Sequence, residues 1–230
     1  MNKIRLGNKD FYYQVFYKNN KNMYLRIKEG RLIVTCNRIF SEEQIRSFIY
    51  ENSVKILNKF RIYESKVALY SETSMLIYGN EYAMVYKISC KKNNYSFYNN
   101  TVHLEFRKEF FDKNYVEKVY SELIINKAIE ILNELRPLLE ISFDLNNIQF
   151  KTQLMKSRFG SCIPQKKIIK LNTMLGRFDE LYIRVILIHE IIHLKVPNHS
   201  KEFYDYMHAF IPEYKQIKKE LNNLMRKYVI

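Results

Sequence analysis

The stretch HEIIHLKVPNH, residues 189–199, holds three of the five histidines in this chain of 230 residues. If His189 and His193 lie on one helix, they are four residues apart, and their imidazoles project from the same face, one turn above the other. Two imidazoles in this arrangement can bind one metal ion, and Glu190 then lies beside the ion without binding it. The stretch therefore predicts a metal site with an adjacent carboxylate.

The third histidine needs a break in the helix. A continuous helix would place His199 about 240° round the cylinder from His193. Pro197 disfavours helical dihedrals at Val196, and Asn198 readily adopts a turn conformation, so the chain can turn back after the second histidine. We expect His199 to be the third nitrogen ligand. The spacing leaves three other candidates open: Glu202, Asp205 and Glu213.

The helix that carries the motif is predicted to be buried. It begins near Asp179, a plausible N-cap residue, and residues 181–192 are apolar almost all round the helix. An unpaired carboxylate on a buried helix is costly, and a metal ion offsets that cost. Three protein ligands leave a fourth position for water, which is typical of catalytic zinc. The predicted activity is peptide hydrolysis by a metal-activated water, with Glu190 as general base.

The first hundred residues read mostly as strands with one helix. Aromatic and β-branched residues predict strands at 11–17, 23–27, 31–36, 75–78, 82–88, 95–97 and 101–106. Turns are expected at Glu29-Gly30, Gly79-Asn80 and Asn99-Asn100. Ser41 and Gln44 match a capping box at the start of a helix that reaches Phe60. No internal repeat is evident.

From Asp112 the apolar period becomes helical, and a long helix is predicted to end at Pro137. Short strands are expected at 148–152 and 167–172, separated by a loop with a turn at Gly160. Helices are expected again from Ser200 and near Pro212. We therefore predict an α+β chain with a β-rich N-terminal domain, residues 1–110, and a compact C-terminal domain, residues 111–230.

The composition of the whole chain bears on its partners, its cysteine chemistry and its cellular location. The formal net charge is +14, which suits either a solvated surface or a polyanion-binding role such as nucleic-acid association. Three cysteines, Cys36, Cys90 and Cys162, are too widely spaced for a disulfide framework or a thiolate metal site. The sequence has no stretch apolar enough to cross a membrane and no apolar secretory segment at its start, so we expect a cytoplasmic location. It carries no signal for an oligomeric state.

Residues around the motif also resemble a known family. The segments that carry the resemblance are residues 158–162 (RFGSC), 169–172 (IKLN), 185–193 (VILIHEIIH), 198–200 (NHS) and Phe203. They are similar to the YgjP-like metallopeptidases, which are related to SprT-like and WLM zinc proteases. The family usually has Trp where this chain has Phe159, and a proline before the helix that is missing here. Neither departure affects a ligand.

The resemblance implies a zincin-type domain, a small sheet packed on the metal helix and its flanking helices. It implies His189, His193 and His199 as Zn²⁺ ligands, Glu190 as catalyst, and protein or peptide substrates. The likeness to SprT-like proteins also leaves open a nucleic-acid-associated module that processes or recruits DNA-bound proteins.

Two assignments near the site have alternatives. Arg158 either acts on the substrate or oxyanion, or organises the turn at Gly160. Tyr204, Tyr206 and Tyr214 are candidate oxyanion donors, but in a chain with 19 tyrosines packing is the favoured interpretation of each one.

Overall fold

The computed structural model describes residues 2–28, 31–64, 67–88, 92–107 and 111–229. Its elements begin with β1 (Asn2–Leu6), β2 (Lys9–Tyr17), β3 (Tyr24–Lys28), β4 (Arg31–Cys36), α1 (Glu42–Glu51), α2 (Ser53–Glu64) and β5 (Val67–Ala68). They continue with β6 (Ser74–Ile77), β7 (Asn80–Ile88), β8 (Asn94–Tyr98), β9 (Thr101–Phe106), α3 (Lys113–Leu139), β10 (Gln149–Gln153), β11 (Gly160–Ile163), β12 (Ile168–Asn172), α4 (Glu180–Ile192), α5 (Lys201–Phe210), α6 (Tyr214–Arg226) and β13 (Tyr228–Val229). The predicted α+β class is confirmed.

The chain forms two compact units, Met1–Val67 and Ala68–Tyr228. Among the described residues, no helix is long and apolar enough to span a membrane. Cys90 and the predicted turn at Glu29-Gly30 lie outside the described residues.

The first unit is a four-stranded sheet with two helices. Its strand order is β1-β2-β4-β3, with β2 and β4 parallel and the outer pairs antiparallel. Side chains alternate along the strands, so every second residue, such as Tyr13, Leu32 and Val34, enters one core. Ile45 and Ile49 of α1, with Ile56 and Phe60 of α2, complete that core. Strand β1 was missing from the sequence prediction.

The predicted helix from Ser41 to Phe60 is two helices rather than one. Its start is confirmed, since the Ser41 hydroxyl accepts from the Gln44 N–H and the Gln44 side chain accepts from the Ser41 N–H. Asn52 ends α1, with φ −94° and ψ 8°, and its amide donates to the Phe48 carbonyl. The side chain thus satisfies a carbonyl at the end of α1, which offsets the interruption.

The second sheet repeats the plan of the first. Its order is β6-β7-β9-β8, again with a central parallel pair and antiparallel outer pairs. The register matches as well, because buried Met84 pairs with buried Val102 just as Tyr13 pairs with Leu32. The structure therefore contains a repeated four-strand module that the sequence reading missed.

The hairpin turn predicted at Asn99-Asn100 is confirmed, and the one predicted at Gly79-Asn80 lies one residue earlier, because Asn80 already belongs to β7. Tyr78 and Gly79 join β6 to β7 with φ of 50° and 83°, and Asn99 and Asn100 join β8 to β9 with φ of 43° and 58°. Two successive residues with positive φ define the tight turn that matches the twist of paired strands.

The compact units differ from the predicted domains 1–110 and 111–230. Met75, Val102 and Phe106 of the second sheet share a hydrophobic core with Val116 and Tyr120 of α3. The composition shift near residue 110 therefore marks a change from strand to helix inside one compact unit.

Helix α3 also passes the residue at which it was expected to end. Pro137 lies inside the helix, which continues to Leu139. A proline in the last turn removes only one backbone hydrogen bond, and burial of Leu139 in the main core favours one more half-turn of helix.

A small mixed sheet packs against α4, the helix that carries His189 and Glu190. The strand order is β10-β12-β11, with β10 parallel and β11 antiparallel to β12. The segment after Gly160 was predicted as loop but forms β11, whose pairing runs from Gly160–Leu171 to Ile163–Ile168. Its four residues include no regular apolar alternation, so the sequence gave no strand signal there.

Candidate metal centre

Helix α4 carries the first two histidines and is buried along most of its length. Asp179 caps it as predicted, with its side chain accepting from the Leu181 N–H at 2.8 Å. His189 is only 8% exposed, and its ring centroid lies 4.8 Å from that of His193. His193 occupies the C-cap position, so the helix ends at the second histidine.

The turn after α4 returns the third histidine to the same place. Val196 is buried and its N–H donates to the Ile192 carbonyl, while its own carbonyl lies 2.9 Å from His193 Nδ1. His199 Nε2 then lies 3.2 Å from His189 Nε2.

One aromatic ring of α5 packs against all three imidazoles. The Phe203 centroid is 4.8 Å from those of His189 and His193 and 4.7 Å from that of His199. Phe203 is fully buried. Packing of this kind limits ring rotation and holds the three donors together.

The donor set fits a tetrahedral transition-metal ion. The ligand nitrogens all lie within 4.8 Å of one another. Two nitrogens bound to a tetrahedral zinc at about 2.05 Å are about 3.3 Å apart, close to the 3.2 Å between the Nε2 atoms of His189 and His199. His189 Nδ1 lies 2.8 Å from the Tyr214 hydroxyl, and His193 Nδ1 faces a carbonyl. Partners on Nδ1 leave Nε2 for a metal and fix the ring orientation.

Burial favours the neutral form of two of the imidazoles, those of His189 and His199. Burial, followed by the charges of His193 and Lys218, lowers the pKa of His189 to about 3. Burial and the same neighbours also lower the pKa of His199. Neutral imidazole is the form that binds metal, so these rings need not lose a proton first at neutral pH.

Glu190 is buried beside the histidines. It is 4% exposed, and burial raises its pKa to about 8 against the opposing charges of Lys218 and Arg158. A Cβ at Gly160 would lie 2.6 Å from Glu190 Oε1, so only glycine leaves room for the carboxylate against β11. This pair was not anticipated from the sequence.

The histidines and Glu190 line an open cleft of about 550 Å³. Strand β11 and the segment before it form one wall, and α6 contributes Tyr214, Lys218 and Asn222. Arg158 lies in the cleft and its charge acts on Glu190, while its backbone carbonyl accepts from Asn172 at 2.8 Å. Arg158 thus lies where it can act on a substrate, and its backbone also helps to hold the segment before Gly160.

The three candidate tyrosines occupy different places. Tyr214 lies between the His189 ring and Lys218, whose ammonium donates to the Tyr214 hydroxyl at 2.9 Å. The Tyr206 hydroxyl accepts from Lys195 at 2.8 Å. The Tyr204 ring lies 6.4 Å from that of His199. Tyr214 therefore supports a histidine, a role the sequence did not indicate.

The alternative third ligands do not join the cluster. Within the described chain, the group of side chains able to share one metal ion is His189, His193 and His199. Glu202, Asp205 and Glu213 are exposed and do not line the cleft.

Cys36 is buried and Cys162 is half-buried, and burial together with Glu190 raises the pKa of the Cys162 thiol to about 12. A thiol of this kind is unreactive.

Three imidazole nitrogens beside a buried glutamate form a centre typical of metal-dependent hydrolases. The family model described as YgjP-like, metallopeptidase domain, matches residues 21–224. The chain belongs to this metallopeptidase family.

Two solved structures show partial similarity. The zymogen of abylysin from Pyrococcus abyssi is 20% identical, with a TM-score of 0.39, covering 45% of this chain and 99% of that one. The zymogen of jannalysin from Methanocaldococcus jannaschii is 25% identical, with a TM-score of 0.34, covering 45% of this chain and 95% of that one. A search of curated proteins gave no match.

Proposed function

We propose that this protein is a zinc-dependent metalloendopeptidase in which His189, His193 and His199 bind Zn²⁺ and Glu190 is the general base. The observation that carries the proposal is the convergence of three imidazoles next to one buried carboxylate. Family membership supports a peptidase function. Zinc as the metal and the cytoplasm as the location are predictions.

Each residue has a defined task in peptide hydrolysis. Bound zinc supplies Lewis acidity, which acidifies a water molecule and polarises the substrate carbonyl. Glu190 accepts the proton of the attacking water and returns it to the leaving nitrogen. Its buried position excludes bulk water from the carboxylate, which lies beside the three histidines. We assign Arg158, which lines the cleft, to binding of the substrate backbone or the developing oxyanion.

The direct test is Glu190→Gln, which preserves shape and removes the base. We expect the variant to keep its zinc and to lose cleavage of an unfolded protein by about 10²- to 10⁴-fold. Glu213→Gln changes an exposed glutamate outside the cleft, so this control should retain activity. Full cleavage by Glu190→Gln would refute the assigned role.

A second candidate function is single-stranded nucleic-acid binding by the solvent face of the first sheet. Strand alternation places basic and aromatic side chains on that face: Lys3, Arg5, Tyr12, Phe16, Tyr24, Arg26 and Arg31. Tyr12, Phe16 and Tyr24 are 52%, 50% and 51% exposed, which leaves their rings free to stack on bases. The acid on this face of the described sheet is Asp10, which pairs with Lys3 at 2.8 Å.

The second sheet shows that this face is not a simple result of composition. The equivalent positions there carry one cation and no aromatic ring: Ser74, Leu76, Ala83, Lys87, Asn94, Ser96 and Thr101. Lys87 and Glu105 pair at 2.7 Å. The two sheets share one strand arrangement, but only the first combines excess positive charge with exposed aromatic rings on this face.

Binding of a single-stranded oligonucleotide at rising salt tests this candidate. We expect affinity to fall steeply with salt, and Tyr12→Ser with Phe16→Ser to weaken it about tenfold or more. Val85→Ser on the second sheet is the control. Affinity that does not change with salt would exclude the proposed face.

A further inference from the structure

A second groove opens directly beside the candidate metal centre. It has a volume of about 380 Å³ and is lined by residues of α6 together with Tyr204 of α5. Tyr214, Lys218 and Asn222 line both this groove and the cleft that holds Glu190. The groove is therefore continuous with the site of peptide hydrolysis.

The groove is positively charged because of how α6 is built. Ile217, Leu221 and Met225 turn into the core, so the opposite face of the helix is exposed to solvent. That face carries cations and amides at helical spacing: Lys215, Lys218, Lys219, Asn222, Asn223 and Arg226. No carboxylate is among the residues that line the groove in the described chain. Glu220, which is on the same helix, accepts from Gln216 at 3.0 Å and lies outside the groove.

We propose that this groove binds an acidic segment of the substrate, so that the enzyme favours peptides with Asp or Glu on one side of the cleaved bond. The inference rests on the proposed peptidase function and adds the substrate class. Carboxylate side chains complement Lys215, Lys219 and Arg226, and the shared wall leads the same chain into the catalytic cleft.

The amides of α6 favour a peptide over a nucleic acid in this groove. Asn222 donates its amide N–H to the Lys218 carbonyl at 2.8 Å, which leaves the Asn222 Oδ1 as an acceptor. A peptide backbone has N–H donors to satisfy that oxygen, whereas a phosphodiester backbone presents acceptors to it. Tyr204 and Tyr214 are the aromatic residues of the groove, and the Tyr214 hydroxyl is engaged with His189 and Lys218.

The binding test uses zinc-loaded Glu190→Gln, which should not cleave the probe. Two fluorescent peptides that differ only at alternate positions, one with Asp and Glu there and one with Asn and Gln, are titrated by anisotropy. The triple variant Lys215→Gln, Lys219→Gln, Arg226→Gln should weaken binding of the acidic peptide about tenfold, the combined effect of three exposed ion pairs. The control triple variant Arg107→Gln, Lys118→Gln, Lys151→Gln removes the same charge away from the groove and should bind within about twofold of the parent.

The kinetic test measures kcat/KM for the same two peptides, using proteins that retain Glu190. We expect the acidic peptide to be favoured, and the groove triple variant to bring the ratio of the two kcat/KM values towards one, while the control triple variant keeps it.

The two proposals fail in different ways. If the unmutated enzyme cleaves neither peptide, the peptidase function fails, and the anisotropy measurement still decides the groove. Equal binding of both peptides, or an equal effect of both triple variants, would overturn the acidic-substrate inference. Tighter binding of a single-stranded oligonucleotide that is lost in the groove triple variant would also overturn it.

Discussion

Zinc binding should expel a proton from Glu190, and the number of protons released can be worked out from the structure. Burial raises the pKa of Glu190 to about 8 in the metal-free protein, so at pH 7 about 0.9 of the molecules carry a proton on this carboxyl. A dication held by His189 and His193, which flank Glu190 on α4, favours the ionised carboxylate and drives the pKa down. Zinc binding should therefore release about 0.9 proton from this residue.

Glu190→Gln isolates that proton. The glutamine has no titratable group, while protons released by the histidines are common to both proteins. At pH 7 the unmutated protein should release about 0.9 proton more per zinc than the variant, and at pH 9 only about 0.1 more, because the carboxyl is then already ionised.

Calorimetric titration of the metal-free proteins with zinc in two buffers of different ionisation enthalpy measures the proton count. The dependence of the observed enthalpy on the buffer gives the protons released. A difference near zero at pH 7 would show that Glu190 is ionised before the metal binds, which would refute the argument from burial.

Three further predictions follow from contacts in the second unit. Gly160→Ala adds a methyl group 2.6 Å from Glu190 Oε1 and should reduce kcat about 100-fold while zinc is retained. Tyr214→Phe removes the partner of His189 Nδ1 and should weaken zinc affinity 10- to 100-fold, to be measured by competition with a chromophoric chelator. Glu117→Gln removes the carboxylate that pairs with the buried guanidinium of Arg177 at 2.6 Å. It should lower the free energy of unfolding by about 3 kcal/mol in a denaturant titration.

Each of these three predictions has a control variant or an outcome that would contradict it. Undiminished kcat in Gly160→Ala would show that Glu190 does not need its present position. Tyr206→Phe, whose hydroxyl contacts Lys195 rather than a histidine, should leave zinc affinity unchanged. Glu140→Gln breaks an exposed pair with Arg136 at 3.7 Å and should cost less than about 1 kcal/mol. Equal destabilisation by the two glutamate variants would contradict the assigned importance of the buried pair.

Local sequence patterns were enough to predict the elements that carry the histidines. The Asp179 cap, the apolar helix and the break at Pro197 each depend on residues a few positions apart, and all are present in the structure. The same holds for the Ser41 capping box and the turn at Gly79.

Features set by packing between distant segments could not be predicted in this way. Tyr214 contacts His189 across 25 residues of sequence because α6 packs beside α4. Gly160 meets Glu190 only because β11 pairs with β12 and so lies against α4. The repeated sheet was missed because its two copies share burial and pairing register rather than residue identity.

Metal analysis of the purified protein and its histidine variants tests the central claim most directly. We predict about one zinc per chain in the unmutated protein, and loss of that zinc in His189→Ala and His199→Ala. His208→Ala, an exposed histidine near Pro212, should retain the full amount. Full zinc content in both His189→Ala and His199→Ala would contradict the assigned metal centre.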